Sequence, residues 1–328
     1  MTLAKFCTFY MSLLLCGLFA FDVDAADMQR AQKVEAAWQN WAQENGVTQG
    51  AFTVSFKGEN LITSGISGNG QRPFEIASLS KSITATCVAL LVDAGKLGYK
   101  DTVGELLGAR IPNMHPEAQS ITVAQLLTHS SGLKPDATQA AMAQWYGTQD
   151  MRHLQASRTA LARAPRRSGK FRYNNENYAI LGAMVEVVTD ATYLKTCKSR
   201  TGLPTARLSS RVGGNAAWGG WEMPVAEFAR FHARHYGLQS SFAQRPGAYP
   251  SVNVGGGIRY ALGMFHRTSN GQSSFWHFGS YCFPDRMNTG AYAVTWFTGW
   301  AVTVAYNRCL EEKDMLSLDA ALIKAAFR

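Results

Sequence analysis

Strand-like segments stand at both ends of this 328-residue chain, and the stretch between them is helical. Near the start, Ala51–Phe56 and Leu61–Ile66 carry strand-forming residues, and Lys57-Gly58-Glu59-Asn60 suits a hairpin turn between them. Near the end, Ile258–Phe265, Ser274–Tyr281, Tyr292–Phe297 and Ala301–Tyr306 are short, aromatic and β-branched, with Thr298-Gly299 as a tight turn before the last. One sheet assembled from both termini accounts for this layout, with residues 96–254 as an inserted helical subdomain. The expected fold is α/β of the α+β type, an antiparallel sheet flanked by helices. Helices are expected over 28–45, where Val34, Ala37, Trp38 and Trp41 share a face, and over 78–94, closed by Gly95. They are also expected through Tyr178–Val188, where Ile180, Leu181, Met184, Val185 and Val188 recur at intervals of three and four, and over 316–326.

Residues 1–25 stand apart from the expected domain, 26–328. Lys5 is followed by the apolar run from Met11 to Phe21 and then by Val23-Asp24-Ala25, the pattern of a secretory signal peptide. The run is too short for a bilayer span of about 20 residues, and Leu15 is too large to precede a lipidated Cys16. The protein is therefore expected to be exported, periplasmic or secreted, without stable membrane insertion. Its net charge of +9 becomes +10 once Lys5, Asp22 and Asp24 are removed. Two readings of that charge stand side by side: attraction to anionic envelope polymers, and an ordinary basic soluble surface. No nucleic-acid motif accompanies it. Four cysteines remain, Cys87, Cys197, Cys282 and Cys309, at spacings that do not suit zinc. Cys87 is expected to be a buried thiol on the apolar face of its helix. Cys282 and Cys309, each after a strand-like segment, are the pair best set for a bridge, although a further strand-like segment between them leaves the pairing open.

The chemistry concentrates in Ile76-Ala77-Ser78-Leu79-Ser80-Lys81-Ser82. A serine and a lysine three apart on a helix share a face. In a first helical turn the Ser78 N–H is free to donate, and the dipole favours developing negative charge. A desolvated lysine amine favours its neutral form and can accept a proton. One turn thus offers a nucleophile, a base and an oxyanion donor. Tyr173-Asn174-Asn175 adds a phenol able to shuttle a proton and an amide able to orient a carbonyl and Lys81. His277-Phe278-Gly279-Ser280 adds a hydrogen-bond donor to substrate, a glycine permitting close approach, and the Ser280 N–H as a second oxyanion donor.

Taken in order, Ser78-x-x-Lys81, Tyr173-x-Asn175 and His277-x-Gly279 resemble the class C β-lactamase and penicillin-binding-protein family of serine hydrolases. So do Leu126–Leu133, Asn177–Gly182, Ala217–Trp221 with Glu227–Phe231, and Tyr260–Gly263, a resemblance running from about residue 30 to the C-terminus. It implies a β-lactamase/transpeptidase-like fold and an acyl-enzyme on Ser78, with Lys81 and Tyr173 managing protons in an order left open. No metal or organic cofactor is implied. His277 stands where many members have lysine. A neutral imidazole is a poorer partner for a β-lactam carboxylate, and histidine is usual among the family's esterases, amidases and peptidases. The stretch from Tyr173 to His277 is also short for the family.

The leading expectation is hydrolysis of an ester or amide, such as a D-amino-acid cell-wall peptide, with a small-molecule or peptide substrate. A β-lactamase and a catalytically weak binder of cell-wall fragments are the alternatives. Several residues take plainer readings. His129 is read as a loop or helix-cap residue, Arg163, Arg166, Arg167, Lys170 and Arg172 as a solvated face, and Gly255-Gly256-Gly257 as a turn into a strand. Trp296 and Trp300 are read as packing, while Trp218 and Trp221 are left between cleft and core.

Overall fold

A computed structural model describes residues 24–166 and 168–328. Of the proposed leader, residues 1–25, the part up to Val23, with Cys16 in it, lies outside the described residues, as does Arg167. The chain opens with α1 (Ala25–Glu44), β1 (Gly50–Phe56), β2 (Glu59–Ile66), β3 (Phe74–Glu75) and α2 (Ser80–Asp93). Short helices α3 (Val103–Leu107), α4 (Val123–Leu127), α5 (Thr138–Gln144) and α6 (His153–Leu161) lead to α7 (Asn175–Thr189) and α8 (Tyr193–Thr201). Then come β4 (Arg207–Leu208), β5 (Trp221–Met223), α9 (Val225–Tyr236) and α10 (Ser241–Gln244). The chain ends with β6 (Val252–Gly255), β7 (Ile258–Ala261), β8 (Met264–Ser269), β9 (Gln272–Phe283), β10 (Met287–Thr295), β11 (Trp300–Tyr306) and α11 (Glu312–Phe327).

Eight strands form one sheet in the order β2-β1-β11-β10-β9-β8-β7-β6, every neighbouring pair antiparallel. The N-terminal hairpin thus joins the C-terminal strands through β1 and β11, as the strand distribution predicts. Its turn uses Lys57 at φ 49° and Gly58 at φ 97°, the paired positive φ values of a tight hairpin turn. A second, three-stranded sheet, β3-β5-β4, pairs β4 and β5 of the 96–254 region with β3 from before α2; strands of two or three residues leave no periodic signature.

The two faces of the large sheet differ in side-chain size. On the outer face Phe52, Tyr292, Val302, Val304 and Tyr306 pack against Trp38 and Trp41 of α1 and Leu318 and Leu322 of α11. The inner face carries Ala51, Ala291, Ala293 and Ala305, which join the core of α2, α7 and α9. Small side chains there let the backbone ahead of α2 sit directly on β9 and β10. Trp300 and Trp296 are buried in the outer layer, as expected of packing residues.

Three expectations need correction. The segment Ile258–Phe265 is two strands, because Leu262 and Gly263 turn the chain at φ 53° and 76°. That turn rests on α2: a Cβ at Gly263 would lie 2.5 Å from the Lys81 carbonyl oxygen. The helix expected from Ser78 begins at Ser80, preceded by a 3₁₀ turn over Ala77–Leu79. Cys87 is not a free thiol; it is bonded to Cys197, with Cα atoms 5.2 Å apart where α2 packs on α8. Two helices far apart in sequence share that contact, so nothing local announces it. Cys282 and Cys309 are bonded as favoured, across a separation of 27 residues.

Both sulfurs of Cys87–Cys197 belong to fully buried residues, whereas Cys282 and Cys309 are exposed. Mild reductant applied to the native protein should therefore open Cys282–Cys309 and leave Cys87–Cys197 intact, read by thiol alkylation and peptide mapping. Recovery of an unbonded Cys87 from unreduced, denatured protein would contradict the pairing.

Candidate active site

Residues 272–276 of β9 pair with β8, and the strand then runs on through Phe283 with β10 alone beside it. The stretch from His277 onward is thus a free edge on one side, and the turn carrying Ser78 lies against it. A Cβ at Gly279 would fall 2.6 Å from the Ser78 nitrogen and 2.9 Å from the Ile76 carbonyl oxygen. Glycine is therefore required by the closeness of two backbones, not by a special φ. Ala77 adopts φ 45°, a conformation costly for a residue with a Cβ. The Ile76 N–H bonds to the Trp221 carbonyl and holds the turn from the other side.

Lys81, on the first turn of α2, is fully buried. Its Nζ donates to Ser78 Oγ at 3.1 Å and to the Trp218 carbonyl at 2.9 Å. It stands 4.8 Å from the Tyr173 ring centroid and 5.9 Å from that of Tyr178. Burial lowers its pKa to about 7, with Asp136 pulling weakly the other way. Tyr173 retains 36 % of its surface, yet enclosure of its hydroxyl raises the phenol above its usual range, against a smaller lowering by the Ser78 hydroxyl. At neutral pH the favoured arrangement is a protonated phenol and an amine close to half neutral.

Asn174 caps α7, its Oδ1 accepting from the Glu176 N–H at 2.7 Å. This places Asn175 at the helix start, where the residue lines a cleft of about 550 Å³ with Ser78, Tyr173, His277, Gly279 and Ser280. The structure thus brings Ser78, Lys81, Tyr173, Asn175, His277, Gly279 and Ser280 together, Lys81 forming the wall behind Ser78. A cavity of similar size beside Gln125 and Arg166 holds none of this set.

Two expected contacts are different. Lys81 takes the Trp218 carbonyl, not the Asn175 amide, as its second partner. His277 is buried, and its Nδ1 bonds to the Phe278 carbonyl, which can only accept. The proton therefore sits on Nδ1, and Nε2, 3.5 Å from the Tyr260 hydroxyl, is an acceptor. Burial, with Lys81 adding to it, lowers this imidazole to about 3. His277 is a neutral wall with its one N–H committed to backbone, so it is not the donor to substrate that its position suggests.

Other residues matter more than their local sequence signals. His129 is in a loop as read, at φ 54°, but its buried ring lies 4.5 Å from the Tyr173 centroid and 4.9 Å from that of Tyr260. Its Nδ1 accepts from the Asn174 N–H at 3.3 Å and meets the Asn177 amide nitrogen at 3.1 Å. Burial first, then Lys81 and His277, hold its pKa well below the usual histidine range. Asp136 Oδ2 accepts the Asn175 N–H at 2.8 Å while Oδ1 takes the Thr138 N–H. Only the Pro135-Asp136-x-Thr138 turn chemistry hints at it. Trp218 borders the cleft and Trp221 is core. In the basic run, Arg163 is not simply solvated: it pairs with buried Glu176. Arg166, Lys170 and Arg172 are exposed.

The sequence profile of the family described as Beta-lactamase matches residues 31–221, more than half of the chain. A penicillin-binding protein of Bacillus subtilis (strain 168) is 31 % identical over 144 residues, covering 42 % of this chain and 30 % of that protein. The chain thus matches less than a third of the length of that relative. Among solved structures, the β-lactamase/D-alanine carboxypeptidase from Pseudomonas syringae superposes with a TM-score of 0.71 at 15 % identity, covering 91 % of this chain and 99 % of that one. The D-stereospecific amidohydrolase from Streptomyces sp. gives 0.67 at 21 % identity, covering 93 % and 99 %. With that profile over more than half its length, and with the fold of penicillin-binding-protein-like serine hydrolases, the chain belongs to the β-lactamase family.

Proposed function

We propose that the chain is an exported serine hydrolase that cleaves an ester or amide through an acyl-enzyme on Ser78. The observation that carries this is a buried amine, lowered to about 7, within 3.1 Å of the Ser78 hydroxyl. Neutral Lys81 accepts the Ser78 proton as Oγ bonds to the substrate carbonyl carbon. The N–H groups of Ser78 and Ser280 hold the oxyanion, with Gly279 allowing the approach. Tyr173, still protonated, gives its proton to the leaving oxygen or nitrogen and recovers one from Lys81. Water then attacks the acyl group, its proton passing back through the same pair to Ser78 as the acid leaves. Asn175 orients the substrate carbonyl.

His277 supports placing an ester or amide ahead of a β-lactam. It is neutral, and its N–H is bound to the Phe278 carbonyl, so it offers no charge to a β-lactam carboxylate. A D-amino-acid peptide of the cell wall fits this reading, and the likeness to a D-stereospecific amidohydrolase agrees with it. The two disulfides support export to an oxidising compartment. There the basic surface would hold the protein near anionic envelope polymers.

Ser78→Ala should abolish ester turnover and the mass increase left by a fluorophosphonate, with the thermal midpoint shifted by no more than a few degrees. Substantial turnover by the folded variant would remove Ser78 from the mechanism. Lys81→Ala and Tyr173→Phe should each lower the acylation rate by about 10²–10⁴, the range for a lost general acid or base. The double variant should lose far less than the product of the two, as members of one proton relay do. Multiplicative losses would show independent action.

A further inference from the structure

On the outer face of the sheet, a groove of about 420 Å³ runs between α11 and strands β8–β10. Its lining is mostly apolar, including Trp276, Phe278, Trp296, Phe297, Leu316 and Ile323. Two charged side chains also line it, Arg267 and Asp319, the latter taken up by the Tyr292 hydroxyl. Phe297, Leu316 and Ile323 leave 44 %, 53 % and 37 % of their surfaces open, an unusual concentration for large apolar residues.

The groove adjoins the Ser78 cleft. Phe278, one residue before Gly279 and stacked on Tyr292 at 4.4 Å, borders both. So does α11: Glu312 and Met315 line the cleft, and Leu316 and Ile323 line the groove. We infer that the substrate carries an apolar chain on one side of its scissile bond and that this chain lies over Phe278 in the groove along α11. The inference rests on the serine-hydrolase reading and names the substrate class for it. From Leu316 to Ile323 the helix rises about 10 Å, the extent of an extended chain of about eight carbons. Among the described residues, Arg267 and Asp319 are the only charged residues lining the groove itself, and Glu312 stands at the cleft end of the path, so the groove offers an apolar chain more contact than a charged group.

The test uses the full mature chain. Rates are measured on nitrophenyl esters from acetate to decanoate, and on acetate esters of alcohols over the same lengths. One of the two series should show kcat/KM rising by up to about fourfold per buried methylene, the effect of full apolar burial, and levelling near the eighth carbon. Leu316→Glu and Ile323→Glu, made separately, should each reduce the ratio of longest to shortest substrate by at least tenfold. Flat dependence in both series, or a ratio unmoved in both variants, would overturn the inference while acetate turnover left the serine-hydrolase reading intact. If no ester is cleaved and Ser78 takes up no fluorophosphonate, that reading fails, and the groove is judged by binding alone. Brominated decanoate should quench Trp276 and Trp296 in Ser78→Ala protein, and Ile323→Glu should abolish the quenching; no quenching overturns the groove. A dimer by sedimentation that Leu316→Glu dissociates would show that a second copy covers this face instead, and would also overturn it.

Discussion

A lysine amine with no exposed surface, held between the Ser78 hydroxyl and the Trp218 carbonyl, is the interaction on which the rest of this site depends. An ammonium buried without a carboxylate in contact is costly, and the group lowers its own pKa in response. The neighbours accept that condition. His129 and His277 are both kept neutral by burial, each further disfavoured as a cation by Lys81, and Tyr173 holds its proton. Asp136, the charge that opposes this lowering at Lys81, is tied to the amides that start α5 and α7. A full ion pair there would return Lys81 to its ordinary range and remove the base.

Holding that amine in place draws on distant parts of the fold. The Leu262-Gly263 turn presses on the Lys81 backbone from the sheet, and Tyr236 Oη donates to the Leu262 carbonyl from α9. The Cys87–Cys197 bond fixes α2 to α8 within the helical layer. The free edge of β9 meets the Ser78 turn where Gly279 lets two backbones touch. The arrangement therefore joins both termini and the inserted helices at one point, which explains why residues spread from 78 to 280 converge.

Much of this was legible in the sequence, and what was not has a common cause. Strand segments at both ends imply the shared sheet, because hydrophobic and β-branched runs are local signals. Ser78 and Lys81 are visible because a spacing of three brings two side chains to one face of a helical turn, and Tyr173 and His277 because they follow in family order. Contacts made through backbone carbonyls were not legible: any residue could stand at 218 and still offer its oxygen to Lys81. The same holds for the Nδ1 bond of His277, which turns an apparent donor into a neutral wall, and for Cys87, whose partner is 110 residues away. His129 looked like a loop residue because it is one; only packing puts its ring against Tyr173.

The central claim is that Lys81 is a neutral amine over the range in which it must accept a proton. It is tested most directly by titrating the protein with carbon-13 at lysine Cε, assigning the Lys81 signal by its loss in Lys81→Arg. The account predicts a midpoint near 7 for this lysine, with the amine neutral above it and protonated below, while exposed lysines titrate near 10.4. A Lys81 midpoint at or above 10 would leave it an ammonium throughout the working range and contradict its role as the base.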